Sequence, residues 1–129
     1  NEKGDYKRTV LPPSTATYKS LLTDNFIGCL TAIYDTTTLG KVYMPDIRKR
    51  QDWALWLDIL KKIPKGHSLN ESLALYRDRE GSVSTHKLQL LKYNWTIYRD
   101  HEQLQFIRSL WLMGQFLFRY TLKKAKAIF

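Results

Sequence analysis

The stretch Pro45-Asp46-Ile47-Arg48-Lys49-Arg50-Gln51-Asp52-Trp53-Ala54-Leu55-Trp56-Leu57-Asp58-Ile59-Leu60-Lys61-Lys62 sets the character of the chain. Trp53, Leu57 and Leu60 recur at helical spacing with Trp56 and Ile59 beside them, while Lys49, Asp58 and Lys61 fall on the other side. The pattern predicts an amphipathic helix between Pro45 and Lys62, ended by Pro64-Lys65-Gly66. Asp52 stands at the mouth of this helix, after Arg48, Lys49 and Arg50. A carboxylate there complements the positive helix end, a contribution of about 0.3–1 kcal/mol. Held among aromatic rings, it is also placed to deprotonate a hydroxyl that comes within hydrogen-bonding distance.

Working outward, residues 1–17 are mostly polar, contain Pro12-Pro13-Ser14-Thr15, and read as a linker or mobile loop. Ser14 or Thr15 is the expected cap of a short helix through Thr17, Tyr18, Leu21 and Leu22, with Asp24-Asn25 as its stop. Phe26 to Tyr34 is apolar and rich in β-branched and aromatic residues, which predicts a mostly buried strand, and Asp35 to Gly40 reads as a turn. His67 to Arg77 alternates weakly through Leu69, Leu73 and Leu75 and predicts a strand or short strand pair. A charged loop follows from Arg77 to Ser84. Thr85 is the expected cap of a helix running through Leu88, Leu91, Trp95 and Tyr98 to about His101, and a further helix extends from Gln103 to about Lys126.

The 129 residues fit one domain, and 43% hydrophobic content is enough to build a core. Lys and Arg number 21 against 12 for Asp and Glu, a net charge of +9 that favours phosphates, anionic lipid or acidic partners. The single Cys29 excludes a disulfide framework and points to a reducing compartment. The chain opens on Asn1 without signal-peptide patterning, so a fragment is expected, and no apolar run approaches the ~20 residues of a spanning helix. The sequence has no Gly-rich phosphate loop, His-Glu-x-x-His pair, Cys-x-x-Cys or Gly-x-Ser-x-Gly elbow. His67, His86 and His101 lack ligand-like spacing, so no metal site is expected within the chain.

Tyr18-Lys19-Ser20-Leu21-Leu22-Thr23-Asp24-Asn25-Phe26-Ile27-Gly28, then Arg50-Gln51-Asp52-Trp53-Ala54-Leu55-Trp56-Leu57, then Leu73-Ala74-Leu75-Tyr76-Arg77 and Gly81-Ser82-Val83-Ser84, together resemble the C-terminal half of bacterial family 2 glycosyltransferases. The likeness covers roughly Tyr18 to Tyr98. It implies an α+β chain, the helix-rich C-terminal fragment of a GT-A α/β fold with a few short strands. It also implies inverting transfer of a sugar from a nucleotide sugar to an acceptor hydroxyl. In that family an acid at the start of this helix is the catalytic base, and the matching residue is Asp52. Gln51 stands where many relatives carry a second acid. Candidate contacts to acceptor or diphosphate are Arg50, Gln51, Trp53, Arg77, Arg79, Ser82, Ser84 and His86, with a solvated loop as the plainer reading of 77–84. Asn25 and Thr31 match the acceptor-side strand and read as structural. The resemblance places the nucleotide pocket and a divalent cation, Mg or Mn, in an N-terminal half that this chain lacks, so the fragment alone is expected to be inactive.

On this reading residues 18–101 form the acceptor-side part and 102–129 a C-terminal amphipathic basic helix. Between 105 and 129 there are five Lys or Arg and no Asp or Glu. Arg108, Trp111, Arg119, Lys123, Lys124 and Lys126 are therefore candidates for contact with an anionic membrane surface, where each nearby Lys or Arg contributes on the order of 1 kcal/mol. Packing, on the preceding helix or on the missing N-terminal half, is the expected fate of the apolar arc Phe106 to Phe118, and membrane contact that of the basic tail. The expected location is cytoplasmic, peripheral at the inner membrane face. Expected partners are the N-terminal donor-binding half, a nucleotide sugar, and a glycan or lipid-linked acceptor. A severed sheet edge also invites the fragment to dimerise. The alternative is a non-enzymatic basic module for nucleic acid or anionic membrane. Nucleic acid is the less expected partner, because the aromatics fall on faces that a core needs.

Overall fold

The computed structural model describes residues 3–77 and 87–126, with side chains described for 3–77 and 90–123. In chain order the elements are β1 (Thr15–Ala16), α1 (Tyr18–Thr23), α2 (Thr36–Leu39), α3 (Gln51–Lys62), β2 (Gly66–His67), α4 (Lys87–Thr96), a π-helical segment (Ile97–His101) and α5 (Phe106–Lys126). Among the described residues the chain is thus helix-rich with one short two-stranded sheet, compatible with an α+β class.

Helix α1 begins at Thr17 rather than at Ser14 or Thr15. The Thr17 hydroxyl accepts from Ser20 N–H at 3.2 Å and the Ser20 hydroxyl accepts from Thr17 N–H at 3.0 Å, a reciprocal cap. Thr15 is instead drawn into β1, which pairs antiparallel with β2 through Thr15 opposite His67 and Ala16 opposite Gly66. The ladder is extended by Ser68 N–H donating to Ser14 O at 3.0 Å.

Helix α3 starts at Gln51, which puts Asp52 in its first turn as the sequence suggests; the residues before it, 45–50, are irregular, and Arg50 adopts the left-handed conformation at φ 70°. From Trp53 to Leu60 only Asp58 escapes burial, so this helix forms the centre of the core. Its neighbours lock onto it by polar as well as apolar contacts. The Trp53 indole N–H donates to Leu21 O at 2.9 Å, and the Tyr98 hydroxyl donates to Leu22 O at 2.6 Å. The Tyr98 bond satisfies a carbonyl in the last turn of α1 that has no partner within the helix, and the Trp53 bond adds a second donor to Leu21 O, which also accepts from Asp24 N–H at 3.3 Å. Around Trp53, Tyr98 packs edge-on at 5.6 Å and Phe116 of α5 lies at 5.9 Å between ring centroids.

The predicted strand at Phe26 to Tyr34 does not form. Residues 24–35 are irregular; Phe26, Ile27, Ala32 and Tyr34 are half-buried, while Gly28 to Thr31 are exposed and Ile33 is 95% exposed. Among the described residues no strand lies beside this stretch, and an unpaired strand leaves its N–H and C=O groups without the ladder that stabilises it. Cys29, placed by the sequence in an apolar run, is exposed. The expected turn from Asp35 is a single helical turn, α2, capped by Asp35 accepting from Thr37 N–H at 2.8 Å. Of the strand expected between His67 and Arg77 only Gly66–His67 forms, and Leu69, Leu73 and Leu75 are exposed for the same lack of a neighbour.

The expected helix from Thr85 to His101 is present as α4 followed by the π-helical segment, its cap at Thr85 lying outside the described residues. The wider turn brings Ile97 and Tyr98 into full burial. Gln103, at φ 51°, then reverses the chain into α5, which starts at Phe106 rather than Gln103.

Candidate active site

Asp52 lies in the first turn of α3, half-buried, next to a junction where α1, α3, the π-helical segment and α5 meet. The left-handed turn at Arg50 directs its guanidinium inward. It stands over the Trp53 ring at 5.5 Å and the Phe116 ring at 5.7 Å from the centroids, two cation–π contacts from one side chain. Burial lowers the Arg50 pKa, and the charge of Asp52 opposes that shift, followed by weaker effects of Tyr98 and Asp24. Arg50 is therefore a partly desolvated cation within the field of Asp52, whereas Arg48 is exposed. Its buried Nε has no hydrogen-bond partner among the described residues.

Asp24, at the end of α1, completes the junction by accepting from Lys123 of α5 at 2.5 Å. Tyr98 has its pKa pushed above the ordinary tyrosine value by burial, against an opposing effect of Arg50. Asp24, Tyr98 and Phe116 were not singled out as site residues by the sequence. Asp24 reads there as a helix stop and Phe116 as one of many apolar residues, and their meeting depends on contacts such as Asp24 to Lys123 that no local pattern carries.

The structure brings together Arg50, Gln51, Asp52 and Trp53. Gln51 is half-buried beside Asp52, whereas Trp53 is fully buried with its N–H held by Leu21, so it forms the floor beneath Arg50. Arg77 is exposed in irregular chain, and Arg79, Ser82, Ser84 and His86 lie outside the described residues. On α5, Arg108, Trp111 and Arg119 are exposed, Lys123 is exposed yet paired to Asp24, and the side chains of Lys124 and Lys126 lie outside those described.

A second polar cluster sits on the far end of α3. Asp58, His101 and Glu102 place ligand-type atoms within 4.8 Å of one another. The Lys61 ammonium already fills the centre, 2.8 Å from Glu102 and 3.1 Å from Asp58, and Tyr18 donates to Glu102 at 2.5 Å. These groups do not fit a divalent cation, because an ammonium supplies the positive charge that the carboxylates require. The cluster instead ties α1, α3 and the π-helical segment together.

The chain is 40% identical over 104 residues to a protein named for a teichuronic acid biosynthesis glycosyltransferase, TuaG of Bacillus subtilis strain 168, a match covering 81% of this chain and 41% of that protein. It is 32% identical over 103 residues to WfgD of Escherichia coli, covering 79% of this chain and 40% of that one. To WfaP of Escherichia coli it is 38% identical over 79 residues, 61% of this chain and 31% of that one. Both Escherichia coli proteins are named as β-1,3-glucosyltransferases acting from UDP-Glc on α-D-GlcNAc-diphosphoundecaprenol. The chain is thus homologous to bacterial glycosyltransferases, and it spans about two fifths or less of the length of these relatives. No family model and no solved structure matches it.

Proposed function

We propose that this chain is the acceptor-side, C-terminal part of an inverting family 2 glycosyltransferase of the GT-A type, which moves a sugar from a nucleotide sugar to an acceptor hydroxyl in making a surface polysaccharide or glycolipid. The observation that carries the reading is Asp52, accessible in the first turn of α3 and set beside the half-buried Arg50. Homology to proteins named for lipid-linked acceptors supports a lipid-linked or glycan acceptor here.

In this reading the Asp52 carboxylate takes the proton from the acceptor hydroxyl as that oxygen attacks the anomeric carbon, and a single displacement inverts the configuration. The rings of Trp53 and Phe116 hold Arg50 in place, and its fixed positive charge lies where a carboxylate and an approaching polar acceptor meet. Donor binding, and the divalent cation that neutralises a leaving diphosphate in such enzymes, belong to residues outside this chain. The 129 residues alone therefore do not turn over.

The test is Asp52→Asn in the intact gene product. Transfer is expected to fall about 10²–10⁴-fold, the range of a positioned general base, while nucleotide-sugar binding by calorimetry is unchanged. Near-normal turnover would remove Asp52 as the base.

A further inference from the structure

Helix α5 carries two apolar faces, and only one is used by the core. Ser109, Leu112, Met113 and Phe116 turn inward, where Ser109 and Leu112 are buried. On the opposite side Ile107, Leu110, Trp111, Gly114 and Phe118 recur at i, i+3, i+4, i+7 and i+11, a continuous stripe along a helix. Ile107 is 81% exposed, Trp111 67% and Phe118 64%. Together with Gln115 they line a shallow groove of about 590 Å³. A stripe of this size facing water marks an interaction surface.

Charge selects the occupant. Arg108 and Arg119 are exposed and border the stripe on one side, and from 105 to 129 the sequence holds five basic residues and no acid. A second copy would bring the same exposed Arg108 and Arg119 against these, whereas an anionic bilayer supplies the complement. Exposed Phe106, Trp111 and Phe118 are the ring types that settle at the headgroup boundary. No helix among the described residues, α5 included, is long and apolar enough to cross a membrane.

We infer that the outward face of α5 seats in the interface of an anionic phospholipid bilayer, with Ile107, Trp111 and Phe118 inserted and Arg108 and Arg119 against phosphates. The inward face of the same helix holds Arg50 through Phe116 and Asp24 through Lys123. Membrane seating thereby places the Asp52 end of α3 close to the surface that carries a lipid-linked acceptor. This last step rests on the proposed transferase reading, while the seating itself does not.

The experiment uses the intact gene product and vesicles of phosphatidylcholine with or without phosphatidylglycerol. Co-flotation is expected only with phosphatidylglycerol, and brominated lipid is expected to quench Trp fluorescence in the wild type but not in Trp111→Phe. Ile107→Ser with Phe118→Ser should lower the bound fraction at least tenfold while circular dichroism and the unfolding midpoint stay put. Arg108→Gln with Arg119→Gln should remove the preference for the anionic lipid. Absence of flotation, flotation indifferent to lipid charge, or Trp111 shielded from a soluble quencher before vesicles are added overturns the inference. So does a dimer that the Ile107 and Phe118 changes dissociate, since a second copy then covers the face. Failure of seating with transfer still dependent on Asp52 leaves the transferase reading intact. Normal transfer by Asp52→Asn with flotation preserved rejects that reading alone.

Discussion

The guanidinium of Arg50 stands 5.7 Å from the centroid of Phe116, joining the start of α3 to the middle of α5. The contact matters because Arg50 is a partly desolvated cation whose remaining support comes from the Trp53 ring and the charge of Asp52. Phe116→Leu keeps most of the apolar volume and deletes the ring. It is expected to cost about 1 kcal/mol in urea denaturation, the scale of one aromatic and cation–π contact. In the proposed transferase it should also lower kcat, because Arg50 loses one of its two walls. An unchanged midpoint would mean that Arg50 is held by other groups.

Tyr98→Phe isolates a single hydrogen bond. The ring and its packing against Trp53 remain, while Leu22 O loses its donor at the end of α1. Leaving a buried carbonyl unpaired costs about 1–3 kcal/mol, read as a lower denaturation midpoint. A neutral effect would show that water reaches this carbonyl.

Alkaline pH should unfold the chain early. Burial and then the bond to Glu102 raise the pKa of Tyr18, and burial raises that of Tyr98. For Lys61 burial acts against the ammonium, yet its bonds to Glu102 and Asp58 outweigh that effect and its pKa is raised. All three groups hold their protons more tightly folded than unfolded. The stability they add is complete below the unfolded-state values of 10.0 for tyrosine and 10.5 for lysine, and it is lost as pH climbs beyond them. The midpoint in urea is expected to drop steadily from about pH 10 upward. A midpoint that holds or rises there would contradict the buried placement of these groups.

The Lys61 cluster makes a separate forecast. The Glu102 side chain is 1% exposed while Lys61 is 41% exposed, so Lys61→Met leaves a buried carboxylate with only its Tyr18 donor and should destabilise by about 1–3 kcal/mol at neutral pH. Adding Glu102→Gln should recover part of the loss, a coupling visible in a double-mutant cycle. Because the ammonium fills the cluster, a chelator should leave the thermal midpoint of the wild type unchanged. A fall on chelation would mean that a metal, not Lys61, occupies the site.

How far the sequence reaches depends on how local the cause is. The helix around Trp53 to Leu60 and the long helix after Gln103 are legible because the 3.6-residue period is written in consecutive residues. The Thr17 cap is less so, since Ser14, Thr15 and Thr17 all carry hydroxyls and pairing with Gly66 and His67 decides among them. Phe26 to Tyr34 has the composition of a strand, but a strand is a property of two segments, and the described residues provide only one. At the candidate site Asp52 is found from its motif. Arg50 appears there as a candidate acceptor or diphosphate contact within a basic run, and nothing local reveals that Phe116 will lie against it.

The pairing of β1 with β2 has a topological consequence. It fastens Ala16 to Gly66, so that α1, α2 and α3 lie on one ring of chain closed at its neck, with α4 and α5 hanging outside it. A single protease cut between residues 27 and 34, where the chain is irregular and largely exposed, opens the ring without releasing either piece. The two halves stay clasped by the ladder and by Trp53 against Leu21. The nicked protein should therefore migrate as one body until denaturant is added.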